Sequence, residues 1–149
     1  MTTFQKRSPG EQFPNFKSLG MQENIRVYKG IVERSGAPDI SPDQLFQYLS
    51  NEAKFLKGLN AKSANFNLLT CLRSQNVQHK DDTYVSWGDI THTDSMKIVD
   101  LAVSFKKLWS SGSDDIMIFD NTFDWFLFID HDGSVFLNKS TSNEHSRPT

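Results

Sequence analysis

The chain has 149 residues, with 16 Lys or Arg against 18 Asp or Glu, a formal net charge of -2, and 12% aromatic residues. This composition is too apolar for a disordered chain, and the single cysteine, Cys71, excludes an internal disulfide framework and a cysteine-built zinc site. No apolar run approaches the roughly 18 residues of a membrane span, and residues 1–20 lack the apolar stretch of a secretory signal. We therefore expect a cytoplasmic protein with no membrane partner.

The two ends of the chain differ in composition from its middle. Residues 1–15 mix Pro and Gly with charges, and residues 139–149 are polar. Both segments are typical of loosely held termini. We expect one globular domain over residues 16–138, flanked by flexible tails at 1–15 and 139–149.

The first periodic segment spans residues 21–34. Its apolar residues fit a helical stripe: Ile25, Tyr28, Ile31 and Val32. The same segment also alternates as a strand would, and Gly30 weakens both interpretations. We favour the helix.

The strongest helix start lies at Ser41, where a capping serine precedes Pro42 and is followed by Gln44 at the third helical position. Apolar residues then recur at helical spacing, and Gly58 supplies a left-handed stop. The pattern predicts a helix over residues 42–57.

The middle of the chain is less regular. The apolar run over residues 66–72 is too short for its period to separate a helix from a buried strand. Residues 84–90 favour a short strand. Thr93 then predicts the cap of a long helix, with Asp94 in its first turn. The apolar stripe of this helix consists of Ile98, Leu101, Ala102, Phe105, Leu108 and Trp109.

Three runs of β-branched and aromatic residues follow, at 116–119, 125–129 and 135–137, separated by turn-forming residues. The middle run, WFLFI, is apolar on both faces, which predicts a central strand covered on both sides. The fold class expected is α+β, with N-terminal helices packed on a C-terminal antiparallel β-meander of three to five strands.

Charge is segregated along the chain. Residues 1–80 hold 11 Lys or Arg against 6 Asp or Glu, whereas residues 81–149 hold 5 against 12. Residues 108–138 contain no Lys or Arg and six aspartates, all at strand ends or in turns: Asp114, Asp115, Asp120, Asp124, Asp130 and Asp132. Aspartate is common in turns, but an uncompensated negative set also attracts cationic partners.

The turn order of a meander predicts how these aspartates group. Asp114 and Asp115 enter the first strand at the end where Asp130 and Asp132 lie, so these four are expected to form one solvent-facing acidic cluster. Asp120 and Asp124 flank the turn at the opposite end and are expected to form a second cluster. We assign the first group as leading partner contacts and the second as secondary ones.

Other chemistry finds less support in the sequence. Asp130-His131-Asp132-Gly133 lacks the glutamate that completes a calcium loop. His92, Asp94 and His131 would form a metal site only if the fold joined them, and surface histidines are the simpler interpretation. Cys71 lies among leucines, as inert buried thiols do. No catalytic motif, phosphate loop or basic stripe is present, so we expect no enzyme, no cofactor and no nucleic-acid partner.

In size, in the order of helices before a meander, and in the stretch Asp114–Phe136, the chain resembles the small single-domain immunity proteins that bacteria make against contact-delivered toxins. The resemblance implies stoichiometric neutralisation of a toxin by occlusion. Many such toxins cleave nucleic acid and carry basic clefts, which an acidic surface would fill. The alternatives are a divalent-metal-dependent hydrolase or nuclease that uses the same aspartates, and a scaffold or regulatory subunit.

Overall fold

A computed structural model describes residues 16–38, 40–88, 90–109 and 115–139. Its strands are β1 (Phe16–Ser18), β2 (Lys54–Asn60), β3 (Asp82–Trp87), β4 (Thr93–Lys97), β5 (Ile116–Phe119), β6 (Trp125–Ile129) and β7 (Ser134–Lys139). Within the described ranges these seven form one antiparallel sheet in the order β1-β4-β3-β5-β6-β7-β2.

Four helices of the described ranges cover this sheet. They are α1 (Met21–Ser35), α2 (Pro42–Asn51), α3 (Leu68–Ser74) and α4 (Ile98–Leu108). Residues of α3 and α4 pack with one set of sheet side chains, and residues of α1 and α2 pack with the alternating set. Because neighbouring residues of a strand point to opposite faces, the sheet is the middle layer of three.

The central position predicted for the WFLFI run is confirmed. Every residue of β6 is buried. Trp125, Leu127 and Ile129 belong to the cluster under α3 and α4, while Phe126 and Phe128 belong to the cluster under α1 and α2. A strand flanked by two layers has no wet face, which explains its apolar run.

The α+β class is confirmed, but the expected arrangement was only partly right. The helices are not gathered ahead of the sheet, because α3 lies between β2 and β3 and α4 lies between β4 and β5. The sheet also exceeds the three to five strands of the prediction. The helical interpretation of residues 21–34 is confirmed, and the ambiguous run at 66–72 falls largely in α3.

The helix predicted over residues 42–57 ends at Asn51, although its start is confirmed. Pro42 is the first helical residue, and the Ser41 N–H donates to Gln44 Oε1 at 3.3 Å. The following residues form β2, which pairs with β7 through a register shift. Gly58 has a φ of +87°, the left-handed conformation that was expected of it at a helix end. It lies instead at the register shift within β2.

The long helix begins at Ile98, so the predicted cap at Thr93 was wrong. Residues 93–97 form β4, which pairs with residues 82–86 of β3. The Thr93 hydroxyl donates to the Ile90 carbonyl at 2.6 Å inside the hairpin turn, and Asp94 lies in the strand, not in a first helical turn. Cross-strand pairing has overridden a local capping signal.

The predicted tails fall mainly outside the described residues. Lys139, which the prediction places in the C-terminal tail, is the last residue of β7 and pairs with Trp125. Residues 1–15 and 140–149 lie outside the described ranges.

Candidate functional site

Three of the four leading aspartates come together at one end of the sheet. Asp115 directly precedes β5, and Asp130 and Asp132 lie in the turn between β6 and β7. Ile116 and Ile129 are paired across β5 and β6, which places Asp115 beside Asp130. We call Asp115, Asp130 and Asp132 the acidic rim. Asp114, the fourth predicted member, lies outside the described residues.

His131 lies among these carboxylates and binds two of them. Its backbone N–H donates to Asp115 Oδ1 at 2.7 Å, and its Nδ1 lies 3.0 Å from the same oxygen. Its Nε2 lies 3.7 Å from Asp132 Oδ2. The hydrogen bond to Asp115, followed by the negative charges of Asp132 and Asp115, raises the pKa of His131 above its usual range.

The turn that carries the rim is fixed by its own hydrogen bonds. Asp130 Oδ1 accepts from the backbone N–H groups of Asp132 at 3.0 Å and Ser134 at 2.9 Å. Gly133 has a φ of +85°, which the missing side chain permits, and a Cβ there would also collide with Asn60. Asp130 is therefore half-buried and structural, whereas the side chains of Asp115 and Asp132 are 52% and 72% exposed.

Asp120 does not reach solvent, so its predicted role as a secondary contact conflicts with the structure. It is completely buried and accepts from the Lys80 N–H at 2.8 Å and from Trp125 Nε1 at 3.1 Å through Oδ2. Its Oδ1 accepts from the N–H and the hydroxyl of Thr122. The carboxylate stabilises the β5–β6 turn from inside, a use of aspartate that turn composition alone does not distinguish from exposure.

Asp124 is likewise engaged within the protein. Arg34 of α1 donates from Nε to Asp124 Oδ1 at 2.8 Å, and its second nitrogen contacts the same oxygen. The absence of cations from residues 108–138 therefore does not leave this carboxylate uncompensated, because a cation from the first half of the chain reaches it. The prediction that Asp124 is an uncompensated acidic contact is therefore wrong.

The candidate metal residues do not form a metal site in the described ranges. Asp94 is buried, where it accepts from the Ser18 hydroxyl at 2.7 Å and from Trp87 Nε1 at 3.1 Å. Burial raises the pKa of its carboxyl. His131 is bound to the rim instead. Across the described ranges, no group of three or more His, Cys, Asp or Glu side chains is arranged to hold a metal ion. The hydrolase alternative gains no support from this geometry.

Cys71 lies in α3 beneath the sheet, as expected of a core thiol. Burial raises its pKa to about 11. Because the thiolate is the nucleophilic form, this side chain is unreactive at neutral pH in the folded protein.

Sequence reasoning missed an apolar groove between the start of α1, the start of α2 and the β3–β4 turn. The groove has a volume of about 300 Å³. It is lined by Met21, Asn24, Ile25, Tyr28, Pro42, Ile90 and Thr91. Met21, Ile25 and Tyr28 recur at spacings of four and three, a second stripe on α1 that could have been read from the sequence. The predicted core stripe includes Ile25, which is exposed; the buried residues of α1 are Ile31, as predicted, and Val27, which the stripe omits.

A larger cleft of about 560 Å³ lies over the start of β2 and the end of β7. Its lining includes Glu52 together with Lys54 and Lys139, so it offers charges of both signs. This mixture does not select a ligand of either sign.

Comparison of the chain with protein-family models, curated proteins and solved structures yields no match. Among the residues that the structure describes, no helix has the length and apolar character needed to cross a membrane.

Proposed function

We propose that the chain is a protein-binding module of the immunity type, which neutralises a cognate toxin in the cytoplasm by covering a basic surface. The toxin class that best suits an acidic blocker is a nuclease, because its cleft must attract phosphate. One observation carries the proposal. Within the described ranges, no Lys or Arg forms an ion pair with Asp115, Asp130 or Asp132.

The opposite end of the sheet provides the contrast. There Asp82 pairs with Lys97 at 2.8 Å, Asp124 pairs with Arg34, and Asp120 is buried. The stem of Lys62 lies beside Gly133 in the rim turn. Lys62 nevertheless forms no ion pair with the rim within the described ranges. Asp115 and Asp132 pair with His131, which carries a positive charge only when it is protonated. Exposed carboxylates that have no Lys or Arg partner favour a cationic partner at the rim.

The rim is also presented rigidly. It lies at the ends of β5 and β6, all of whose residues are buried, and the rim turn is closed by hydrogen bonds to Asp130. A preorganised surface loses little conformational entropy on binding. Complementary charges accelerate encounter, and truncating one member of a buried charge pair costs about 2–5 kcal/mol. Steric occlusion then requires one bound copy per toxin and no catalytic group.

The experiment compares two charge-matched double variants. Asp115→Asn with Asp132→Asn removes the exposed rim charges while keeping an oxygen at residue 115 to accept the His131 N–H. Asp81→Asn with Asp82→Asn removes the same charge at the opposite end of β3, where both residues are exposed. Each protein is used to capture partners from the native host, and the partner captured by the wild type is then expressed for kinetics.

We expect the rim variant to associate about tenfold more slowly and with weaker salt dependence, because steering is lost. The control variant should associate within about twofold of the wild type. In cells that express the partner, the wild type and the control should restore growth, and the rim variant should protect less. Equal association rates and equal salt dependence for both variants would contradict the acidic-rim mechanism, and a partner that is harmless to cells would contradict the immunity assignment.

A further inference from the structure

The apolar groove beside α1 has the features of an anchor pocket. Its walls are contributed by Met21, Ile25, Tyr28, Pro42 and Ile90. Met21 is 79% exposed and Ile25 is 46% exposed, so two large apolar side chains face water on one side of the helix. Concave apolar sites of this kind receive the anchor residues of binding partners.

One residue of the groove lining, Asn24, also carries a buried polar atom without a partner among the described residues. Asn24 Nδ2 donates to the Leu19 carbonyl at 3.1 Å. Its Oδ1 is buried and has no hydrogen-bond partner within the described part of the chain. Buried acceptors in folded proteins are normally paired, so Asn24 Oδ1 is an exception within the described part of the chain.

Groove and acidic rim lie at the same end of the sheet. Leu19, just before α1, donates its N–H to the Thr93 carbonyl at the start of β4, which brings Met21 to this end. The turn that contains Ile90 follows Trp87, and Trp87 pairs with Ile116, next to Asp115. Strands are spaced about 4.8 Å apart, so β3 and β6 are separated by only about 10 Å.

One partner can therefore cover both features. A standard interface buries about 800 Å² on each side, a patch about 30 Å across. Such interfaces combine a desolvated apolar centre with a polar or charged rim. A second exposed apolar pair, Val99 and Val103 on α4, belongs to the layer on the other face of the sheet, away from α1.

We propose that this groove receives an apolar side chain of the same basic partner, flanked in that partner by Lys or Arg residues that reach the acidic rim. The inference rests on the proposed function, since the charge of the rim specifies the flanking residues. The two features have separate kinetic roles. Long-range charge determines how fast the partner arrives, and the filled groove determines how long it stays.

The test uses two synthetic peptides as probes. The first has a phenylalanine flanked on each side by two lysines, and the second has serine in place of the phenylalanine. Each is titrated to millimolar concentration into the ¹⁵N-labelled full chain. The amide signals of Met21, Ile25 and Thr91 report on the groove, and those of Asp115 and Asp132 report on the rim. We expect the phenylalanine peptide to shift both sets and the serine peptide to shift the rim signals alone.

The remaining outcomes separate the two proposals. Rim shifts without groove shifts for both peptides would overturn the groove inference and leave the proposed function standing. Groove shifts without rim shifts for the phenylalanine peptide would overturn the acidic-rim mechanism and, with it, the charge pattern assigned to the partner. The absence of shifts at both places would overturn both proposals.

Matched variants show whether the groove shifts depend on its walls. Met21→Ser with Ile25→Ser changes two exposed groove residues, and Met21→Ser alone is the milder form should the double variant lose stability. Val103→Ser, at a site that is 87% exposed on α4, is the control. We expect the groove shifts to be lost in the double variant and retained in the control. Groove shifts that persist undiminished in the double variant would refute the anchor pocket.

Discussion

Gly30 lies in the middle of α1, where alanine would ordinarily be preferred by about 0.8–1.0 kcal/mol. The structure opposes that preference, because the ring of Phe123 lies directly against the helix. A Cβ on residue 30 would be 2.4 Å from Phe123 Cε2 and 2.8 Å from Cζ. Carbon atoms in favourable contact are about 3.5–4.0 Å apart, so the ring would have to move by about 1 Å or more.

The ring has little freedom to move. Its centroid lies 6.4 Å from that of Phe119, and Phe123 itself has a φ of +54°, an unusual conformation for a bulky residue. The next residue, Asp124, is bound to Arg34 on the same helix. Overpacking a fixed contact costs typically about 1–3 kcal/mol. We therefore expect Gly30→Ala to destabilise the protein by about 1–2 kcal/mol, a fall in Tm of roughly 2–8 °C for a chain of this size.

The assay is urea unfolding of a double-mutant cycle with Phe123→Ala. Once the ring is removed, Gly30→Ala should become stabilising by up to about 1 kcal/mol, because only helix propensity remains. A reversal of sign between the two backgrounds is the expected result. If Gly30→Ala stabilises the wild type, or has the same effect in both backgrounds, then the Phe123 ring is not the reason that residue 30 must be glycine.

Three other predictions address the carboxylates. Asp120→Asn should lower the free energy of unfolding by about 2 kcal/mol or more, because a buried donor loses its acceptor. Asp132→Asn, at an exposed site, should change it by less than about 0.5 kcal/mol. Urea unfolding measures both, and equal effects would contradict the structural role of Asp120. Burial raises the pKa of Asp94, so the folded state holds that proton more tightly and stability falls as pH rises above about 3.9. In thermal melts at a series of pH values, the Tm of Asp94→Asn should fall less with rising pH than that of the wild type, and parallel Tm curves would refute this. Because His131 gains a partner, its contribution to stability is complete below its unfolded pKa of about 6.5 and is lost as pH rises through the higher folded pKa. NMR titration should show a raised His131 pKa that falls in Asp115→Asn, and an unchanged pKa in that variant would contradict the hydrogen bond as its cause.

The C-terminal half of the sheet could be predicted from sequence because its signals are local and agree with one another. β5, β6 and β7 are runs of β-branched and aromatic residues separated by turn-forming residues, and each run became a strand. The apolar character of both faces of β6 also predicted two covering layers correctly. Here propensity, pattern and turn chemistry all favour the same structure.

β2 and β4 could not be predicted in this way. β4 is mainly polar, and it is a strand because it pairs with β3 on one side and β1 on the other. β2 continues the helical pattern that starts at Ser41, but its partner β7 follows about 80 residues later in the chain. Pairing over such distances is decided by tertiary context, which overrides a weak local preference.

The location of the rim was predictable, but the fate of each aspartate was not. Turn order placed Asp115, Asp130 and Asp132 at one end and Asp120 and Asp124 at the other, and the strand register agrees. Whether a carboxylate faces water depends on donors that the fold brings to it. The Lys80 N–H that donates to Asp120 is 40 residues away in the chain, so no local sequence pattern predicts that contact.

The two ends of the sheet use the same residue type in opposite ways, and this difference has an energetic consequence. At the β5–β6 turn the carboxylates are bound internally, so they contribute to the fold and offer little charge outward. At the acidic rim, Asp115 and Asp132 lie on either side of one histidine, and they repel each other whenever that histidine is neutral. Two like charges on opposite sides of an imidazole ring repel each other by less than about 1 kcal/mol in water, and by more where water is excluded. A lysine or arginine placed between them would remove this repulsion and add attraction. A cation from a partner can therefore stabilise the rim, whereas at the opposite end it would have to compete with Arg34 and Lys97.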